Sequence, residues 1–305
     1  MKIMIKKESG QVLIALVLIL LTILTVGLII IQRSTIDVTT STQNDQASRA
    51  FSAAEAGIET AFQSNLSNGG FNSSALTNNS AYIVTTSAKL PLTGQALEYP
   101  PTGKGEVAQF WLVDPNTQFD TAIPTPYYQR DNIYIYFGDS NAPADSLPAI
   151  EVNRLVYNTN DKSISADRAY FDTDASRATT NSFTPCQAGN PEALLNPQPI
   201  NTSSATNGLG TNDRAFKCRV RILTLAQPNL IPIMIRTRIL YVDSQPVAAA
   251  PIDSGASLPP QATIYTSVGT SGQTRKTIQA FKLDNVAPFF FDYAIFSVAD
   301  IQKTY

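Results

Sequence analysis

Few residues in this chain could do chemistry, and the two most conspicuous are thiols. Cys186 and Cys218 flank a stretch rich in Asn, Pro and Ser, and neither belongs to a Cys-x-x-Cys pair. In an oxidising compartment such a pair forms one disulfide, which would add about 3–4 kcal/mol by restricting the unfolded chain; the alternative is two buried, unbridged thiols. The chain contains no histidine. That absence removes Ser-His-Asp and Cys-His nucleophiles and every His-containing zinc site, so hydrolytic chemistry of the common kinds is not expected. The carboxylates Asp172 and Asp174, or Asp139 and Asp145, could in principle share a calcium ion, but they lack the spacing and terminal glutamate of a calcium loop. No catalytic residue, metal or cofactor is expected.

Other motifs have plain structural readings beside the functional ones. Ser267-Val268-Gly269-Thr270-Ser271-Gly272-Gln273-Thr274-Arg275 has the glycines of a phosphate cradle, but no helical pattern follows it, and a hairpin is the better reading. Asn65-Leu66-Ser67, Asn78-Asn79-Ser80 and Asn201-Thr202-Ser203 match glycosylation acceptors, a triplet that Asn/Ser-rich loops also produce by chance. The 12 Tyr and 14 Phe, with the single Trp111, concentrate in β-type runs, where a strand core uses them as readily as a carbohydrate platform does. With 43% hydrophobic and 15% charged residues and a formal charge of −2, no global field favours nucleic acid.

The elements that must carry these residues begin with an uncharged run from Val12 to Ile31. At about 1.5 Å per helical residue it reaches roughly 30 Å, the thickness of a hydrocarbon core, so it reads as a transmembrane helix. A cleaved secretory signal would be shorter and end in a small-residue cleavage site, whereas Ile29-Ile30-Ile31-Gln32-Arg33 follows here. Lys2, Lys6 and Lys7 precede the run, which places the N-terminus in the cytoplasm and the chain beyond Gln32 outside it.

Beyond the anchor, Ala47, Ala50, Phe51, Ala54, Ile58, Ala61 and Phe62 recur at helical spacing, opposite Arg49, Ser52, Glu55, Glu59 and Gln63. One helix is therefore expected over 11–64, with a Ser/Thr-rich stretch from Ser34 to Thr42 that could bend or partly melt. Small residues along its outer half permit close approach, either by the protein's own sheet or by a neighbouring subunit.

From Ala81 the pattern changes to short β-type runs at Ala81–Ser87, Val107–Val113, Asn132–Phe137, Ile150–Tyr157, Arg168–Phe171, Phe216–Leu225, Ile231–Val242, Thr263–Val268, Thr274–Leu283 and Pro288–Val298. Met234, Arg236 and Arg238 alternate with Ile233, Ile235, Thr237 and Ile239. Phe289, Phe291, Tyr293 and Ile295 alternate with Asp292 and Ala294. One buried and one wet face is the antiparallel signature. Asn65–Asn79, Asp114–Tyr127, Ala175–Thr211 and Val247–Gln261 read as loops. The expected class is α+β: a long N-terminal helix, half transmembrane and half amphipathic, packed on a mainly antiparallel β-rich head spanning 65–305, in one sheet or two.

Two motifs carry a family resemblance. Lys6-Lys7-Glu8-Ser9-Gly10-Gln11 before an aliphatic run resembles a type IV prepilin leader. Ala50-Phe51-Ser52-Ala53-Ala54-Glu55-Ala56-Gly57-Ile58 resembles the corresponding segment of PilX-like minor pilins and of the K-type minor pseudopilin of type II secretion. The resemblance covers roughly the first sixty residues. It implies a leader over 1–10, removed between Gly10 and Gln11 by a prepilin peptidase, and a helix stored in the membrane and then packed with other pilins in a filament. Ala50, Phe51, Ala53, Ala54, Glu55, Ala56, Gly57 and Ile58 would be its packing segment. Most pilins have glutamate where this chain has Ala15, a departure that points to a minor, priming or capping subunit rather than the major one. The competing expectation is a signal-anchored surface protein whose β domain binds a ligand or glycan.

Overall fold

The computed structural model describes residues 9–64, 70–72, 76, 79–87, 89–116, 128–195, 215–224, 229–253 and 255–287 of the 305. The expected alternation from Phe289 to Ile295, the run Pro288–Val298 and most of the segment Asp114–Tyr127 lie outside these residues.

Helix α1 runs unbroken over Ser9–Gln63, 55 residues, or roughly 80 Å. The Ser/Thr-rich stretch stays helical. Thr35, Thr39 and Thr42 donate their hydroxyls to the carbonyls of Gln32, Thr35 and Val38 at 2.7–2.8 Å, so these side chains find partners inside the helix instead of competing with it.

Among the described residues the remaining elements are fourteen strands, a short helix and a 3-10 turn. The fold is α+β, and among the described residues its strands pair mainly antiparallel, with a short parallel pair between β7 and β8. Two compact units divide the chain. The first contains α1, β1 (Gly70–Asn72), β2 (Ser80–Thr86) and residues Thr266–Gln279 of β13 (Ala262–Ser271) and β14 (Thr274–Leu283). Its sheet has the order β1-β2-β13-β14. The last two strands form a hairpin across Gly272 and Gln273, where Gly272 takes a φ of +55° that the turn requires.

The second unit holds two five-stranded sheets. One has the order β3 (Leu97–Glu98), β12 (Val247–Pro251), β5 (Asn132–Asp139), β10 (Phe216–Leu223), β9 (Ala193–Leu195). The other is β4 (Val107–Trp111), β11 (Leu230–Leu240), β6 (Ala149–Asn158), β7 (Ile164–Asp172), β8 (Thr184–Pro185). Alternate residues of both sheets, including Phe110, Ile150, Val152 and Ile235 from one and Ile133, Ile135, Phe137 and Val220 from the other, form a single apolar core. Two sheets facing across a shared core make a sandwich.

Several expectations need correction. The segment expected to be a loop over Asn65–Asn79 contains β1 at Gly70–Asn72. Val247–Pro251 is a strand between β3 and β5, not part of a loop. Its Ala248, Ala249 and Ala250 are buried; both faces are covered and take small side chains, so the strand has neither alternation nor β-branched residues to announce it. The segment expected to be a loop over Ala175–Thr211 contains helix α2 (Ala175–Asn181), β8 and β9, and β7 begins at Ile164, ahead of its predicted start. A further correction concerns β11, whose Arg236 face is not wet: Arg236 is 2% exposed. Its Nη1 donates to Gln109 Oε1 at 3.0 Å and to the Ala287 carbonyl at 3.1 Å. Gln109 in turn donates to the Asn285 carbonyl at 3.1 Å and accepts from the Ala287 amide at 3.0 Å. The chain after β14 thus covers that face, and the hydrogen bonds offset the cost of burying a guanidinium.

Candidate functional site: the long helix and its docking sheet

Gly10 and Gln11 lie in the first turn of α1, immediately after its first residue Ser9. From Leu13 to Ile31 the large aliphatic side chains are 49–68% exposed. Among the described residues this is the one helix long and apolar enough to cross a membrane, and the cost of leaving such a surface in water makes a bilayer its natural surroundings.

The outer half of the helix is different. Ala50, Ala53, Ala54, Gly57 and Ala61 are buried, a stripe at spacings of three, one, three and four. Of the motif read from the sequence, Ala50, Ala53, Ala54 and Gly57 come together on this stripe, Ala56 and Ile58 lie half-buried beside it, and Phe51 and Glu55 face away. Phe51 is 47% exposed and Phe62 40%, so the packing face is rotated from the one that large apolar residues suggested.

Steric contact explains the rotation. A Cβ added to Gly269, near the C-terminal end of β13, would stand 1.9 Å from the Ala50 carbonyl oxygen and 2.6 Å from the Ala54 amide. A Cβ on Gly57 would meet Ser267 Oγ at 2.3 Å, Tyr82 Cδ2 at 2.9 Å and Val84 Cγ2 at 3.0 Å. Helix and strand approach too closely for anything larger than alanine at Ala50 and Ala54, or than glycine at Gly57 and Gly269. A phenylalanine on this face would hold them apart.

Polar contacts fix the register. Thr60 Oγ1 donates to the Ala56 carbonyl at 2.7 Å, which leaves it to accept from the Tyr82 hydroxyl at 3.2 Å. Within the sheet, Thr85 Oγ1 donates to the Thr266 carbonyl at 3.4 Å and Thr270 Oγ1 to the Ala81 carbonyl at 3.3 Å. The Arg49–Asp45 pair at 2.8 Å is exposed and contributes little. The strand partners Gly269, Ser267, Tyr82 and Val84 escaped the sequence reading; a glycine inside an otherwise regular β-type run was the available signal.

Cys186 and Cys218 are joined, with S–S 1.95 Å and Cα–Cα 6.1 Å. Cys186 directly follows β8 in one sheet and Cys218 lies in β10 of the other, so the bond ties the two layers of the sandwich. The carboxylates have structural partners. Asp172 accepts from Arg177 Nε at 2.8 Å and Nη2 at 2.7 Å. Asp174 caps α2 through the Ser176 and Arg177 amides, and hydrogen bonds from Ser176 first, then from Arg177, hold its carboxyl below the ordinary aspartate value. Asp139 Oδ1 accepts from the Asn141 amide at 2.8 Å. Burial pushes the Tyr99 phenol far above its usual range, outweighing its hydrogen bonds with Gln109. Among the described residues no three His, Cys, Asp or Glu side chains converge as metal ligands.

The arrangement along α1 is an apolar rod followed by a small-residue stripe seated on a sheet. No protein-family model and no curated protein matches the chain.

Proposed function

We propose that this chain is a minor pilin-like subunit or assembly factor of a type IV pilus, competence or type II secretion filament. The observation that carries the reading is the division of labour along α1. One continuous helix is exposed and apolar over its first half and docked by small residues on its own sheet over its second. A rod built this way seats one half on its own sheet while its apolar half remains available to lipid or to the helices of neighbouring subunits, where van der Waals packing drives association.

In this reading the N-terminus is cytoplasmic and the β-rich units lie outside. A prepilin peptidase cuts between Gly10 and Gln11, and the mature helix is stored in the membrane as a single pass before entering a filament. Ala15 supports the minor role: without a carboxylate there, the subunit lacks the charge pairing that sets register between successive major subunits, and a buried unpaired carboxylate is also avoided. The protein acts through packing, not catalysis.

The test is co-fractionation. Surface filaments sheared from cells expressing the native chain should contain it, whereas Gly10→Val, which blocks the junction, should retain it in the membrane. Equal recovery of both forms with the membrane fraction, in cells that make filaments, would favour a signal-anchored surface protein instead.

A further inference from the structure

Between its apolar half and its docked half, α1 crosses a stretch that no other described element covers. Every residue from Gln32 to Asp45 is exposed. Contact with the sheet begins at Gln46, whose side-chain amide nitrogen would lie 2.6 Å from a Cβ on Gly272, and the buried stripe begins at Ala50.

The composition of this stretch gives it little helical stability of its own. Ser34-Thr35-Ile36-Asp37-Val38-Thr39-Thr40-Ser41-Thr42 contains no alanine, leucine, methionine, glutamate, glutamine, lysine or arginine, the residues that favour a helix most. Its β-branched side chains lose rotamer freedom there, and serine and aspartate offer the backbone competing hydrogen bonds. The hydroxyl bonds of Thr35, Thr39 and Thr42 reach only the preceding turn, so they move with the helix and tie it to no other element.

The neighbouring stretches are held for different reasons. Inside hydrocarbon, Val12–Ile31 cannot unwind without leaving amide and carbonyl groups unsatisfied. Beyond Gln46 the helix is clamped by the close approach of Ala50 and Ala54 to Gly269, and of Gly57 to Ser267, Tyr82 and Val84. Between them, water takes up every backbone group that opening frees. Because helix formation is cooperative, an opening spreads through the uncovered stretch and stops at the two clamps.

We infer that Gln32–Asp45 is an extensible spacer, helical at rest and unwound by tension between the membrane and the docked half. As a helix it covers roughly 20 Å. Fully extended it would cover about 45 Å. A pull is therefore absorbed by up to about 25 Å of reversible lengthening before it loads the helix–sheet contacts. This inference rests on the membrane span of α1 and depends on neither leader cleavage nor filament entry.

The experiment uses the full chain in phosphatidylcholine nanodiscs. Relative to intrinsic rates, the amides of Ser34–Thr42 should exchange about a hundredfold faster than those of Ala53–Ala61. Replacing Ser34, Thr35, Thr39, Thr40, Ser41 and Thr42 together by alanine should slow exchange in the spacer about tenfold and leave Ala53–Ala61 unchanged. Exchange at Val17–Ile29 reports the membrane span separately, so failure of the anchor and failure of the spacer are distinguishable. Single-molecule pulling between the nanodisc and a C-terminal handle should give the native chain a reversible step of up to about 25 Å that the alanine form lacks at the same force. Exchange in the spacer as slow as in Ala53–Ala61, exchange untouched by the replacements, or the same extension in both forms would overturn the assignment.

Discussion

Gly269 determines how the outer half of α1 is seated. The 1.9 Å separation between its virtual Cβ and the Ala50 carbonyl oxygen cannot be relieved by rotating a side chain, because the obstacle is helix backbone. Gly269→Ala should therefore destabilise the helix–sheet unit by about 3 kcal/mol or more, the upper part of the overpacking range, and limited proteolysis should find new cuts between Ala47 and Gln63. An unchanged Tm and digestion pattern would mean that helix and strand are farther apart than described. At this scale the sequence was partly legible. The small residues Ala50, Ala53, Ala54 and Gly57 mark a surface for close approach in the sequence itself, whereas hydrophobicity alone puts Phe51 on the packing face because it carries no steric distance. Arg236 is the opposite case: its charge suggests solvent, and the partners that bury it, Gln109 and Ala287, are remote in sequence.

Among the elements, α2 was hidden by its polar composition and is held by its cap. The depressed Asp174 carboxyl contributes stability that is fully present above the ordinary aspartate value of 3.8 and is lost as pH falls through the lower folded value. Amide exchange at Ser176 and Arg177 should accelerate as the pH falls below about 4, relative to the intrinsic rate; in Asp174→Ala it should already be fast at neutral pH and show no such step. Strand β12 was missed because alternation vanishes when both faces are covered by other layers. By contrast, β2, β4, β5, β6, β10 and β14 were legible, since each presents aromatic or β-branched residues in runs bounded by turn signals. The helix α1 was the most legible element of all. Its uncharged run gives its type without reference to any partner, and the threonine back-bonds that keep its middle intact are local.

For the whole molecule, the sequence divides into anchor, arm and β-rich region, but the assignment of strands to units is written in long-range pairing. Residues Thr266–Gln279 return to join α1, β1 and β2, a non-local arrangement that periodicity cannot encode. In the sandwich unit, the Cys186–Cys218 bond joins the two layers. The double replacement Cys186→Ser with Cys218→Ser should lower stability by about 3–4 kcal/mol through the loop it opens, seen as a lower denaturation midpoint for that unit, and a midpoint equal to the native one would show that the bond is absent under working conditions. The central functional claim rests on a single peptide bond at the start of the arm. Mass spectrometry of the N-terminal peptide from cells with an active prepilin peptidase tests it most directly: the account predicts a mature chain beginning at Gln11, and an intact Met1 or a cut near Gln32 would contradict it.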